Sequence, residues 1–162
     1  MYLPPPAQKK PYVLYKLHFS PYSVALIQGN PEGSYDCYCS GIGNVDVHMS
    51  SGVANHFFYL LAEGTEEGAG GPSKVCSDCR QTATEISTLK KIGRAKAGEI
   101  WYTALTQYFV SHTNYTLARD ATLLAALDLF DVDGDCEAFN AVNSAWDAVN
   151  LHYPIHQFSC PR

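Results

Sequence analysis

The sequence predicts a mainly α protein, an antiparallel bundle of about four to five helices with an irregular N-terminal segment. Two observations predict this fold class. Beyond position 50, apolar residues recur at intervals of three and four in four separate stretches, which is the period of an amphipathic helix. The last two connections between these stretches are short, and short connections place consecutive helices side by side in opposite directions.

The start of the chain differs in composition from the rest. Residues 1–33 are rich in proline, tyrosine and glycine and contain one apolar patch at 24–27, which is typical of extended or irregular structure. We therefore expect an irregular segment at 1–33, which is truncated or not native to the fold, followed by one helical domain at 34–162.

The first two helices are predicted from apolar stripes. One stripe behind a serine cap predicts a helix over about 51–63 that ends at Gly64. A longer stripe predicts a second helix over about 94–110, and its members are Ala97, Ile100, Trp101, Ala104, Leu105, Tyr108 and Phe109. The stretch 64–91 between them has no sustained period and is interpreted as an insertion, because long loops are often functional or cross-linked.

The last two helices complete the predicted bundle. The third begins after Asn114 and is apolar on nearly all faces, so we expect it to be buried along most of its length. The fourth begins at a capping Asp135, ends near Asn150 and presents a single apolar stripe of Ala138, Val142, Ala145, Trp146 and Val149. We expect Trp101 and Trp146 to be largely buried in one core.

Charge and hydropathy exclude two classes of partner. The net charge is -5, and the only basic clusters are the pairs at 9–10 and 90–91, so we expect no nucleic-acid partner. The longest apolar runs fall far short of the roughly 20 residues that span a bilayer, so we expect no membrane partner.

Six cysteines form an even count, which in a small domain outside the cytosol indicates disulfides. A four-thiolate zinc site is disfavoured because the first pair, Cys37 and Cys39, has the wrong spacing. Six cysteines allow about 15 connectivities. Our preferred pairing joins the segment of Cys37 and Cys39 to the loop of Cys76 and Cys79, and Cys136 to Cys160.

Several stretches resemble the C-terminal helical domain of the thermolysin family of secreted zinc metalloendopeptidases. They begin with residues 44–53 (NVDVHMSSGV) and 55–62 (NHFFYLLA), and continue with the segments 92–94, 100–108, 113–115, 118–130 and 138–149. Their order and approximate spacing hold from about Ser34 to Leu151.

The resemblance implies a catalytic role for His48 and Asp46. In this family a histidine at the place of His48 donates a hydrogen bond to the oxyanion that forms when water attacks the scissile carbonyl, and Asp46 would orient that histidine. A fixed imidazolium stabilises such an oxyanion by electrostatic preorganisation. If residues 46–48 are extended, both side chains point to the same side, so the pairing is geometrically available.

The sequence departs from the family in its metal ligands. The family binds zinc through His-Glu-x-x-His and a further glutamate, whereas no His-Glu dipeptide occurs here. We therefore expect no metal or other cofactor in this chain, zinc in a missing N-terminal half, and no activity of the chain alone. The expected partners are that half and a peptide substrate, and the expected location is extracellular, although residues 1–33 offer no uninterrupted export signal.

A second hypothesis is a non-catalytic domain, either a remnant or a free-standing interaction module. Other motifs are interpreted as structural: the acidic stretch 131–135 as a turn rather than a calcium loop, and His56, His152 and His156 as packed or exposed polar residues. Asn114 is explained equally well as a helix cap and as a glycosylation acceptor.

Overall fold

The computed structural model of the protein describes residues 34–65, 74–79, 83, 87–130, 136–152 and 160. Within these residues the protein is mainly helical, which confirms the predicted fold class. The expected irregular segment 1–33 lies outside the described residues. No helix in the described part of the chain is long and apolar enough to cross a membrane.

Five α-helices follow one another in the described residues. They are α1 (Val47–Ser50), α2 (Gly52–Glu63), α3 (Arg94–Thr103, continued by a π-helix at Ala104–Tyr108), α4 (Tyr115–Phe130) and α5 (Glu137–Ala148), and a 3-10 turn at Ile42–Asn44 precedes them. The helices α2 to α5 each pack against the next, and α5 packs back onto α2, which closes the bundle. The single-turn helix α1 leads directly into α2 and lies at the edge of this bundle.

One apolar core fills the bundle. Val53, Phe57 and Leu60 of α2 meet Ile100 of α3, Leu123 of α4 and Val142 and Trp146 of α5, and none of these side chains is exposed. Burial of each large apolar side chain typically contributes about 1.5–3 kcal/mol. The stripes predicted for α2 and α5 therefore face the core as expected.

The two tryptophans occupy different depths. Trp146 is completely buried and stacks on Phe57, with ring centroids 3.8 Å apart and planes 13° from parallel. Trp101 lies at the edge of the core, partly buried, with its ring 6.0 Å from that of Phe57. The expected burial is confirmed in full for Trp146 and in part for Trp101.

The π-helix at the end of α3 changes which side chains face the core. The N–H of Phe109 donates to the carbonyl of Ala104 at 2.9 Å, a bond that spans five residues instead of four. The wider turn breaks the 3.6-residue period on which the prediction relied. Leu105 is 45% exposed, so its predicted place in the core is wrong.

The ends of α4 are less buried than predicted. Leu117 and Leu129, in its first and last turns, are both 38% exposed, whereas Leu123 and Ala125 between them are completely buried. Of the two interpretations of Asn114, the structure shows the cap, since its side-chain oxygen accepts from the N–H of Leu117 at 3.0 Å. The helix is therefore buried in its middle turns only.

The start of α5 differs by one residue from the prediction. The residue before Glu137 is Cys136, not Asp135, and Asp135 itself lies outside the described residues. Cys136 has φ 60, in the left-handed region, and forms a disulfide with Cys160. This cross-link constrains how the chain enters the helix. A prediction from capping side chains alone does not take such a cross-link into account.

A buried arginine joins α4 to the end of the domain. Arg119 is 2% exposed and donates to the carbonyl of Leu151 and, at 2.6 Å, to the side-chain oxygen of Asn143. Its guanidinium also lies 3.0 Å from the carboxylate of Asp147 on α5. Because buried charges need such partners, Arg119 holds α5 and the segment after it in one arrangement.

Candidate active site

The candidate site begins at the residue that caps α1. Asp46 precedes the helix, and its Oδ1 accepts from the backbone N–H of His48 at 2.9 Å. The same oxygen lies 2.9 Å from Nδ1 of the His48 ring. These two hydrogen bonds, the backbone one foremost, hold the pKa of Asp46 below its ordinary value. One carboxylate oxygen thus fixes both the start of α1 and the orientation of the imidazole.

The structure brings Asp46 and His48 together, but not by the geometry that we expected. Residues 46–48 do not form an extended segment. Asp46 is a helix cap and His48 is the second residue of α1, so the carboxylate folds back over the first turn to reach the ring. The His48 side chain is 91% exposed. With Nδ1 directed at Asp46, Nε2 on the opposite side of the ring faces outward.

The far end of the α1 turn is held by two residues that precede it in sequence. The carbonyl of Met49 accepts from the N–H of Tyr35 at 2.9 Å and from the hydroxyl of Ser34 at 3.3 Å. Gly52, the first residue of α2, permits this close approach, because a Cβ there would lie 2.2 Å from the Ser34 hydroxyl and 2.5 Å from the Tyr35 carbonyl oxygen. A glycine inside a helical pattern can indicate such a close approach.

Two disulfides anchor the segment before the site. Cys37 pairs with Cys76 and Cys39 pairs with Cys79, and the third disulfide joins Cys136 to Cys160. The predicted pairing of the two segments is confirmed, as is the predicted third bridge. The insertion 64–91 is therefore tied covalently to the chain that leads into α1.

A buried histidine strengthens the same attachment. His56 of α2 is 1% exposed, and its Nδ1 and Nε2 each lie 3.0 Å from a backbone carbonyl oxygen, of Asp36 and Lys74 respectively. Burial holds the pKa of His56 below its ordinary value, although both carbonyls act in the opposite direction. His56 is thus a buried structural residue, in agreement with the predicted structural interpretation.

The carboxyl group of Asp36 is buried beside this attachment. Asp36 is 5% exposed, and its Oδ2 accepts a long hydrogen bond of 3.4 Å from the N–H of Ala83. Burial raises the pKa of Asp36 to about 6, against the smaller opposing effect of that hydrogen bond. The insertion therefore packs on a carboxyl group that is costly to ionise.

An open cavity of about 490 Å³ adjoins the α1 turn. Its wall combines aromatic rings with small polar groups, and it includes Tyr38, Ile42, Ser50, Trp101, Phe109 and Tyr115. The cavity lies between the chain before α1, the end of α3 and the start of α4. It leaves the partly buried Trp101 accessible from one side.

The other polar motifs do not join this site. His152 lies near Asp147, with its Nδ1 3.6 Å from the carboxylate, while the acidic stretch 131–135 and His156 fall outside the described residues. Within the part of the chain that the structure describes, no three histidine, cysteine, aspartate or glutamate side chains are grouped so that they could hold a metal ion. These residues therefore do not fit the zinc ion of the family that the sequence resembles.

Comparison with known proteins decides the family. The family model described as "Thermolysin metallopeptidase, alpha-helical domain" matches residues 19–151, which is most of the chain. The chain belongs to the thermolysin metallopeptidase family. The part of the family to which it corresponds is the α-helical domain, in agreement with the bundle described above.

Named relatives of the thermolysin family agree with this assignment. The chain is 43% identical over 119 residues to a transglutaminase-activating metalloprotease of Streptomyces mobaraensis, covering 73% of this chain and 15% of that protein. It is 33% identical over 124 residues to a bacillolysin of Brevibacillus brevis and 30% identical over 124 residues to a thermolysin of Alicyclobacillus acidocaldarius. Each match covers 76% of this chain, and the chain spans only 20% and 19% of those two relatives.

Sequence reasoning assigned no role to three residues near the candidate site. Gly52 and Tyr115 lie in the stretches that resemble the family, and Asp36 lies in the segment before α1, but no local pattern indicated their contacts. Only Gly52 carried a signal, as a glycine within an apolar helical stretch. The contacts of Asp36 and Tyr115 join positions 47 and 65 apart in sequence, so no local pattern indicates them.

Proposed function

We propose that this chain is the C-terminal part of a secreted thermolysin-like zinc metalloendopeptidase, in which His48 stabilises the oxyanion during peptide-bond hydrolysis. The observation that carries the proposal is the pairing of His48 with Asp46 at 2.9 Å on an exposed turn. The family assignment supports the reaction class, and the three disulfides support an oxidising, extracellular location.

The chemistry of this chain is that of a positioned donor. When water adds to a peptide carbonyl, negative charge develops on the carbonyl oxygen, and a donor fixed near that position lowers the barrier. With Nδ1 of His48 at Asp46, Nε2 is the nitrogen left to face that oxygen, and it donates when both ring nitrogens carry hydrogen.

The proposal assigns the metal to another part of the enzyme. In this family zinc activates the attacking water, a task that a histidine donor alone does not perform. We infer that an N-terminal half supplies the zinc ligands and the general base, and that this half and the peptide substrate are the partners of this domain. The chain by itself is then inactive.

The decisive experiment replaces His48 in the peptidase assembled from this chain and its zinc-bearing half. His48→Ala is expected to lower kcat by about 10²–10³ and to change KM little, because the donor acts on the transition state. The matched control is His152→Ala, since His152 is also an exposed histidine beside an aspartate. The control is expected to retain its kcat.

Three outcomes would contradict the proposal. A normal kcat for His48→Ala would exclude the role of His48. Chelator-sensitive cleavage of casein by the chain alone would exclude the assignment of zinc to another half. If the assembled protein cleaves no peptide at all, the non-catalytic alternative is favoured.

A further inference from the structure

The hydroxyl group of Tyr115 lies at the junction between α1 and α2. It donates to the carbonyl of Ser50, the last residue of α1, at 2.6 Å. That carbonyl is one of the acceptors that a helix end leaves without an intrahelical partner. A hydroxyl group from α4 therefore satisfies the end of α1.

The sequence predicted a serine cap at the start of α2, and the residue that precedes this helix is Ser51. Its side chain makes no capping hydrogen bond to α2, and its hydroxyl donates to the carbonyl of His48 at 3.2 Å. Ser51 therefore does not cap α2. The hydrogen bond from Tyr115 to the carbonyl of Ser50 couples the α1 turn to the bundle.

The ring of Tyr115 is itself fixed by the core. It packs edge-on against Tyr38 and at 60° to Trp146, with centroids 6.1 Å away in both cases. Burial raises the pKa of Tyr115, so the hydroxyl keeps its proton and remains a donor. Trp146 is completely buried, so the hydroxyl has a rigid support.

The α1 turn needs such support. A helix of four residues is far below the length at which a helix is stable by itself, so tertiary contacts set its position. Tyr35 and Ser34 hold the carbonyl of Met49, and Tyr115 holds the carbonyl of Ser50. The last two residues of the turn are therefore fixed, and His48 lies directly before them.

We propose that Tyr115 is a positioning residue for His48, acting through the carbonyl of Ser50. The inference rests on the proposed function of His48 and names the residue that supports its position. Without the hydroxyl, Asp46 still orients the ring within the turn, but the turn is free to shift relative to the bundle. The position of Nε2 relative to the developing oxyanion then becomes less well defined, and such misplacement lowers the rate of the chemical step.

The test is a double-mutant cycle in the assembled peptidase. Tyr115→Phe keeps the ring and removes only the hydroxyl, and it is expected to lower kcat about 3–10-fold with KM unchanged within about twofold, the loss of one hydrogen bond. In a His48→Ala background the same substitution is expected to have no further effect on kcat. Tyr102→Phe, at a site that is 56% exposed, is the control and should leave both constants unchanged.

Equal losses of kcat with and without His48 would overturn the proposal, because Tyr115 would then act on the enzyme as a whole. An unchanged kcat for Tyr115→Phe in an enzyme that depends on His48 would overturn it as well. A fall in Tm beyond the few degrees expected from one hydrogen bond would show that the hydroxyl stabilises the whole fold. That result would also overturn the proposal.

A second measurement separates this inference from the proposed function. In the isolated chain, NMR of Tyr115→Phe should show faster amide exchange across residues 47–54 and altered ring signals of His48, with the rest of the bundle unchanged. Unaltered exchange and ring signals would overturn the positioning role whatever the kinetics of His48→Ala. A normal kcat for His48→Ala together with the expected NMR changes would refute only the function proposed for His48.

Discussion

The indole nitrogen of Trp146 donates to the hydroxyl oxygen of Thr122 at 2.9 Å in the centre of the bundle, and neither residue is exposed. The hydroxyl of Thr122 is in turn within 2.9 Å of the carbonyl oxygens of Ala118 and Arg119 on its own helix. The hydrogen bond therefore joins α4 to α5 at a point that water does not reach.

Removal of this hydroxyl should leave the buried indole N–H without a partner. Thr122→Val keeps the branched shape, and we expect it to lower the free energy of unfolding by about 1–3 kcal/mol. The matched control is Thr106→Val, which also removes a hydroxyl that donates to a backbone carbonyl but lies at an exposed position. Urea denaturation of both variants measures the difference, and equal small effects would show that the buried hydrogen bond contributes little.

Two glycines at helical positions should respond to alanine in opposite ways. Gly52→Ala places a Cβ 2.5 Å from the backbone oxygen of Tyr35, so the two segments must separate, and we expect a loss of about 1–3 kcal/mol. A Cβ at Gly98 in α3 would meet no atom within 4 Å, so Gly98→Ala should stabilise the protein by about 0.5–1 kcal/mol. Thermal unfolding of both variants checks the two signs, and a loss at both positions would contradict the packing described for Gly98.

The stability of the domain should depend on pH through Asp36. Because burial raises its pKa to about 6, the folded chain keeps this proton at pH values where the unfolded chain has already lost it. As pH rises from about 4 to about 6, stability should therefore fall, and above about 6 the loss is complete. Asp36→Asn removes this titration and should be more stable than the wild type at pH 7 by roughly 1–3 kcal/mol.

The difference in the free energy of unfolding between the wild type and Asp36→Asn should vanish near pH 3.5, where Asp36 is protonated in the folded and in the unfolded chain. Urea denaturation at pH 3.5, 5 and 7 measures this difference. Asp46→Asn serves as a control of opposite sign, since the pKa of Asp46 is lowered in the folded chain and its charge favours folding at neutral pH. A variant at Asp36 that is less stable than the wild type at pH 7 would refute the desolvation argument.

The sequence predicted the parts of this molecule that depend on local patterns. The stripes of α2 and α5 follow the helical period without interruption, so their burial could be predicted. The π-helix at Ala104–Tyr108 could not, because it changes the period itself and moves Leu105 outward. Propensity and periodicity assume a regular helix, and they fail where tertiary packing imposes a different turn.

In the candidate site, too, some features follow from local sequence and others depend on tertiary packing. The pairing of Asp46 with His48 follows from their spacing in either an extended chain or a capped turn, so the pair was predicted although its geometry was not. The support from Tyr115 and the close approach at Gly52 depend on where distant segments meet. Such contacts become visible only when the bundle is assembled.

The charge of Asp46, separate from its shape, should affect the rate of the proposed peptidase. Asp46→Asn retains an oxygen that can accept from the backbone N–H and the ring of His48, so α1 and the orientation of the imidazole should be preserved. The negative charge is lost, however, and hydrogen bonds to a neutral oxygen are weaker than those to a carboxylate, so the ring of His48 is held less firmly. We expect kcat to fall by about tenfold, less than the loss of the donor itself.

The comparison of kcat with KM gives the sharper test of this substitution. The oxyanion exists in the transition state and not in the bound peptide, so a ring that is held less firmly should lower kcat and leave KM nearly unchanged. Steady-state kinetics of Asp46→Asn in the assembled enzyme should therefore show the loss in kcat. Asp128→Asn is the control, because Asp128 is an exposed aspartate of α4 that accepts a hydrogen bond from the hydroxyl of Tyr108 and makes no contact with His48. A normal kcat for Asp46→Asn, or an equal loss in the control, would show that the Asp46 carboxylate does not hold the donor in place.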